Sequence, residues 1–399
     1  MAHSDASPRD AASEDAVVFG GVPEHFNLAI WEHLNSGRSE AACGVPTRFV
    51  AVPGGTGAMM AALSDGSVDV AIALTEGVVS AAAKEKCASI RVVAPYVMSP
   101  LAWGVAAGAT DAAPRSLTEL AALPEVRVGV SRMGSGSHLM SFLLAEEQGW
   151  DASRLRFVVC GDITGLRRAV RGVREDGEPE AHLFMWETGM IEPFVAAGEI
   201  SQIGVVLTPW PCFVMAARAA WLDEARPTGE TNRDRLLRVL APCRDAVAAF
   251  LADPAAALDA IAARFMVSRG AAATWMRAVR YAAGRELPRS ALATAAEALR
   301  RLGQLSAEEA SLAPPERLAD SGCVVLTADD PASLAADGGA LDEAACASPL
   351  RAQAHPRPAE QEVEEPDDAD TSAGAVARRR EAMAALDAYL RSLGGEGVR

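Results

Sequence analysis

The stretch VDVAIAL at residues 68–74 is the strongest constraint on what this chain folds into. It is a short apolar run between two helical segments, AMMAALSDG and EGVVSAAAKEK. RFVAV, IRVVAPYV and LAWGVAA have the same character, and HFNLAIWEHL supplies another helix. Apolar strands alternating with helices read as a parallel sheet covered on both faces. The pattern restarts after GATDAAPRS: SLTELAAL is helical, VRVGVS is a strand, and LRFVVCG, EAHLFMW and SQIGVVLTPWP are further strands. Helices are expected near residues 163–173 and 190–197, and residues 234–305 read as almost all helix. The expected fold class is therefore α/β, with two modules and a C-terminal helical segment.

In such sheets ligands sit beyond the carboxyl ends of the strands. Those ends collect polar and aromatic residues. The first carries Glu24, His25 and Phe26, the second Thr56 and Gly57, the third Thr75 and Glu76, the fourth Ser99 with Trp103 beyond. In the second module they carry Ser131, Arg132, Ser135, Gly136, Ser137 and His138, then Trp186 and Glu187, then Trp210. Thr56 or Ser137 alone reads as a helix cap. Jointly these residues have the composition of a small-molecule site, with aromatic walls and a few polar anchors. The helix openings at Thr56–Gly57 and Ser135–Ser137 suit an anionic or strongly polar group, with Arg132 as a bidentate partner. Glu187, if it lines the pocket, favours an amine-bearing group.

Several chemistries lack their signatures. GSGSH is not a GxSxG elbow, GxxxxGK[ST] is absent, and neither GTG nor GSG carries the third glycine of a dinucleotide loop. The two lysines, Lys84 and Lys86, lie away from every strand end, so a Schiff base is not expected. Neither HxH nor HExxH occurs, so no metal site and no cofactor are expected. The seven cysteines are scattered without a CxxC, which fits a reducing compartment. A net charge of −16 argues against nucleic acid and anionic membranes as partners. The polar, acidic start lacks the pattern of a signal peptide, and no apolar run is long enough to span a bilayer. A cytoplasmic protein with a small-molecule partner is expected; the sequence leaves the oligomeric state open.

The pieces VPEHF, GGTG, ALTEG, SPLAWG, GVSRMGSGSHLMSFLLAEEQGW, FMWE and TPWP, in this order, carry a resemblance. Together they resemble a cytosolic eukaryotic family with the type II periplasmic-binding-protein fold, related to a Candida orphan protein. That family is similar to sulfonate-binding proteins and to fungal thiamine-pyrimidine precursor synthases. The resemblance covers residues 16–305. It implies two α/β lobes on mixed sheets, joined by two crossovers, closing on a ligand by hinge motion. Lobe one would take residues 16–104 and 208–305, and lobe two residues 105–207. Residues 1–15 would be a disordered N-terminus, and 318–399 a largely disordered acidic tail with a candidate terminal helix in ARRREAMAALDAYLRSL. The lysine-held cofactor and cysteine motif of the precursor synthases have no counterpart here. The expected function is solute binding of a small polar metabolite, anionic or heterocyclic. The alternatives are an enzyme of heterocycle metabolism, with His25, His138 and Glu187 as acid–base candidates, and an interaction protein with a vestigial cleft.

Overall fold

The computed structural model describes residues 15–85, 89–174, 176–265 and 267–328. The expectations for residues 1–14 and for the terminal helix lie outside these. The chain begins with β1 (Val17–Gly21), α1 (Leu28–Asn35), α2 (Arg38–Cys43), β2 (Thr47–Ala51), α3 (Gly55–Asp65), β3 (Val70–Leu74), α4 (Thr75–Lys84) and β4 (Ile90–Val97). Then follow β5 (Ala102–Gly108), α5 (Leu117–Ala122), β6 (Val126–Val130), α6 (Gly136–Glu147), β7 (Leu155–Val159), α7 (Ile163–Arg171), β8 (Leu183–Glu187), α8 (Thr188–Ala196) and β9 (Ile200–Leu207). β10 (Phe213–Arg218) leads into α9 (Ala219–Asp223), α10 (Asn232–Ala252), α11 (Pro254–Phe265) and α12 (Arg269–Ala278). β11 (Glu286–Pro288), α13 (Arg289–Arg301), α14 (Ala307–Ser311), α15 (Pro315–Leu318) and β12 (Val325–Thr327) complete it.

Two five-stranded sheets result, ordered β2-β1-β3-β10-β4 and β7-β6-β8-β5-β9. The two orders are the same pattern. In each, one strand runs against its neighbours: β10 is antiparallel to β3 and β4, and β5 is antiparallel to β8 and β9. Both sheets are therefore mixed, as the family resemblance implies and unlike the parallel sheet read from the apolar runs. An apolar run reports burial on both faces and is silent on strand direction.

The chain passes between the sheets twice, at residues 98–101 and 208–212, so residues 102–104, expected in lobe one, belong with β5 to the sheet of lobe two. The module boundary is thus not GATDAAPRS, which lies inside the second lobe, where Ala113 is buried and Gly108 packs against the carbonyl of Val170. Hydrogen bonds lace the two crossing segments together. Thr208 accepts from the Leu101 N–H at 2.9 Å and donates to the Trp210 carbonyl at 3.0 Å. The N–H of Cys212 donates to the Ser99 carbonyl.

Local sequence sets the helix ends. Thr231 and Asp234 form a reciprocal capping box at α10. Asp162 caps α7, and α3 stops at Gly66, whose φ of +79° suits glycine. α10 packs on α1 and α2, and α13 on α4, so these helices thicken lobe one, while α12 reaches α8 of lobe two. The ordered chain also continues past Leu318: Ala319 bridges Val92, Cys323 is buried, and β12 pairs in parallel with β11. Three-residue strands carry too little periodicity to be read in sequence. No single described helix is long and apolar enough to cross a membrane.

Candidate functional site

The carboxyl ends of both sheets face each other between the crossings. From lobe one, a 3-10 turn at His25–Asn27 follows β1 and buries Glu24, His25 and Phe26. The His25 ring meets Trp275 edge-on at 4.6 Å and lies 4.7 Å from Phe26. Neither ring nitrogen has a hydrogen-bond partner, and burial pulls the imidazole pKa down to about 3, so it is neutral. Glu24 Oε1 is also without a partner; burial, with a further push from Glu187, raises its carboxyl to about 8.

Glu76 stands in the first turn of α4, directly after β3. Its Oε2 accepts the Trp210 indole N–H at 2.8 Å, and its Oε1 has no partner. Burial lifts it to about 7 against the lowering effect of its hydrogen bonds. From lobe two, Trp103 and Glu187 are register neighbours on β5 and β8, so they share a face. The Trp103 N–H is buried and unpartnered. Its ring lies against Gly136, where an added Cβ would approach within 2.8 Å, so this close packing depends on glycine. Both Glu187 oxygens bind the start of α8, accepting from the Gly189 and Met190 N–H groups at 2.9 and 2.8 Å. His25 of lobe one approaches the same Gly189. The buried Cys212 thiol is held well above its ordinary pKa by desolvation, with further pushes from Glu76, Glu24 and Glu187.

Unpartnered buried polar atoms are rare and ask for a reason. Glu76, His25, Trp103 and Glu24 are 2, 1, 6 and 8% exposed, and each has one. They come from both lobes. The set can accept and donate hydrogen bonds, with Phe26 and Trp275 packed on His25 and Trp210 bonded to Glu76. Among the described residues no three His, Cys, Asp or Glu side chains are grouped to hold a metal ion.

The remaining sequence candidates are placed otherwise. Ser135 caps α6 through the His138 N–H, its hydroxyl lies 3.0 Å from that of Ser137, and Ser137 accepts from the Ser131 N–H. His138 accepts from the Gly134 N–H and packs edge-on against Phe142 and Phe157. It thus stands with β7, whereas His25 and Glu187 meet at Gly189. Thr56 accepts from the Leu74 N–H and packs against Gly77. Thr75 donates to the Pro211 carbonyl, and Ser99 accepts from the Arg280 N–H, so both brace crossing segments. Trp186 follows the opposite parity to Glu187 and packs on the smaller core of lobe two with Ile191 and Phe194. Arg132 reaches across the lobes, lying over Gly57 and donating weakly to the Gly54 carbonyl at 3.4 Å.

Sequence reading missed Trp275, Cys212, Tyr96 and Tyr281. Both tyrosine hydroxyls donate to the Phe26 carbonyl, at 2.6 and 2.8 Å, and fix the turn that carries Glu24 and His25. Nothing in the sequence brings Tyr96 and Tyr281 to one carbonyl, since they lie 70 and 255 residues from Phe26. Trp275 gave no signal either, because it lies within a helical stretch far along the chain.

Residues 103–206 match the family model described as Ca3427-like PBP. The whole fold is similar to that of the Candida albicans CA3427 gene product, which exhibits the generic periplasmic binding protein fold. The two are 26% identical, with a TM-score of 0.66, over 79% of this chain and 99% of that one. The periplasmic aliphatic sulphonate binding protein SsuA of Escherichia coli matches with a TM-score of 0.56 at 15% identity, over 77% and 99% of the two chains. The ligand-binding component of an ABC-type import system from Staphylococcus aureus matches at 0.55 and 15%, over 77% and 97%. No curated protein matches the sequence significantly. The architecture is that of the periplasmic binding proteins, as the sequence resemblance implies, and it supports a small-molecule binding protein.

Proposed function

We propose that this chain is a solute-binding-type protein that closes on one small polar molecule between its lobes. The observation that carries this is the group of buried, unpartnered polar atoms at the strand ends of both lobes: Glu24 Oε1, both His25 nitrogens and Glu76 Oε1 from lobe one, and Trp103 Nε1 from lobe two. A ligand bonded to both sets would hold the lobes together, and the laced crossing segments at Thr208 are the natural hinge. Arg132, lying over Gly57, closes the rim. The described cysteines Cys43, Cys160, Cys212, Cys243 and Cys323 are all free, which supports a reducing compartment such as the cytoplasm.

The test is native mass spectrometry of the purified protein, then denaturation and identification of the released molecule. One small molecule per chain is expected. A Trp103→Phe, Glu76→Gln double variant should then bind it at least about ten-fold more weakly. Wild-type affinity in that variant overturns the site.

A further inference from the structure

We propose that this cleft takes a small organic cation, an amine or amidinium bearing a further hydrogen-bond acceptor, and not an oxyanion. The inference rests on the solute-binding reading above and names its ligand class. It begins with the helix N-termini, where an oxyanion would ordinarily find free N–H groups. At α8 and α6 the chain itself supplies acceptors for such groups, whereas α3 and α4 have no side-chain cap and α3 starts at the rim under Arg132. At α8 the Gly189 and Met190 N–H groups are bound by Glu187. At α6 the His138 N–H is bound by Ser135. The first turn of α4 carries its own acid, Glu76. An oxyanion entering here would meet carboxyl oxygens.

The uncommitted acceptors point the same way. Glu76 Oε1 and Glu24 Oε1 are buried, lack partners and suit donors that carry positive charge. Aromatic side chains adjoin the same segments, with Phe26 two residues beyond Glu24 in the chain and Trp275 against His25, and ring faces attract positive charge. The Trp103 N–H is the donor that asks for an acceptor on the same ligand. Arg132, the cation that would favour an anion, lies at the rim over Gly57.

The charge states agree with this reading. The titratable groups facing the cleft are Glu24, Glu76, Glu187, His25, Cys212, Tyr96, Tyr281 and Arg132. His25, at about 3, stays neutral and does not repel a cation. Cys212, Tyr96 and Tyr281 are held well above their ordinary values by burial and stay neutral too. Glu24, at about 8, and Glu76, at about 7, hold protons near neutrality that a bound cation displaces. Cation binding therefore releases protons and strengthens as pH rises from about 6 to about 8.5.

The experiment is isothermal titration of the full chain with two probe sets. Agmatine, ethanolamine and histamine form the cation arm; methanesulfonate and methylphosphonate form the anion arm. Each is titrated at pH 6.5 and 8 in buffers of differing ionisation enthalpy. The expected result is binding in the cation arm alone, with proton release at pH 6.5 and tighter binding at pH 8. Glu76→Gln should weaken it about ten-fold or more. Glu24→Gln is the second variant should Glu76→Gln fail to fold. Binding of either anion in preference to the cations overturns the cation class and leaves the solute-binding reading standing. Cation binding without proton release, and unchanged in both variants, overturns the assignment to these carboxyls. If neither arm binds and native mass spectrometry releases an anion or a neutral molecule, the class falls alone; if nothing is released, both readings fall.

Discussion

The two lobes differ in how far the polar groups at their strand ends are used, although lobe two too leaves Trp103 Nε1 and His138 Nε2 buried without partners. Lobe two opens α6 with five polar or charged residues between Ser131 and His138, yet most of their hydrogen-bonding atoms are used locally. Ser135 caps, Ser137 answers the Ser131 N–H, and His138 answers the Gly134 N–H. Lobe two also buries a charge and pairs it: Arg167 grips Glu199 through two bonds at 2.7 and 2.6 Å, under the Phe194 ring. Lobe one opens on Glu24, His25 and Glu76 and leaves atoms of all three without partners. A polar cluster at a strand end is therefore not a site by composition. What distinguishes a site is hydrogen-bonding capacity that the chain does not use.

The sharpest way to break this contrast is Glu199→Ala. Removing the carboxylate from a buried pair should cost about 3–5 kcal/mol, read from the urea midpoint. A loss under about 1 kcal/mol would mean that lobe two does not depend on its pairing. Next in size is the pH dependence of stability. Glu24 and Glu76 titrate in the fold at about 8 and 7, above their ordinary 4.5. Their contribution is fully present below pH 4.5 and is lost as pH rises through 7 to 8. His25, lowered from 6.5 to about 3, acts oppositely: its contribution is present above 6.5 and is lost as pH falls toward 3. Two falling carboxyl contributions outweigh one rising imidazole contribution above pH 4.5, so thermal melts should show the combined effect of these groups greatest near pH 4.5 and declining toward pH 8. A Glu24→Gln, Glu76→Gln double variant should flatten the alkaline side, and His25→Phe the acid side. An unchanged alkaline slope in the double variant would show that these acids are not the buried, proton-holding groups described.

Thr208→Val removes both bonds of the Thr208 hydroxyl, one of which joins the two crossing segments, and should cost about 1–2 kcal/mol in chemical denaturation. Ser135→Ala should cost about 1 kcal/mol as a lost cap, lowering the melting temperature by a few degrees. Glu76→Gln at pH 8 should leave stability unchanged or raise it. A larger loss from Glu76→Gln than from Ser135→Ala would reverse the comparison. Arg132→Ala, at the half-exposed rim, should change stability by less than about 0.5 kcal/mol.

Much of this molecule was readable from its chain. The run VDVAIAL gives β3 and EAHLFMW gives β8, because burial on both faces is a local code. The strand-end residues were readable as a set for the same reason, since chain polarity fixes where each strand stops. Direction was not: LAWGVAA and FVMAAR look like their neighbours, and only their insertion between partners far along the chain makes β5 and β10 antiparallel. Which polar groups stand at the strand ends follows from the order of residues along the chain. Only the tertiary structure decided which of them are already answered, as Ser137 is by Ser131, and which are not, as with Glu76 and His25. The physical reason is that a hydrogen bond needs its partner within about 3 Å at a suitable angle, and that condition is set by packing between segments remote in the chain. Trp275 lying against His25 is the clearest case.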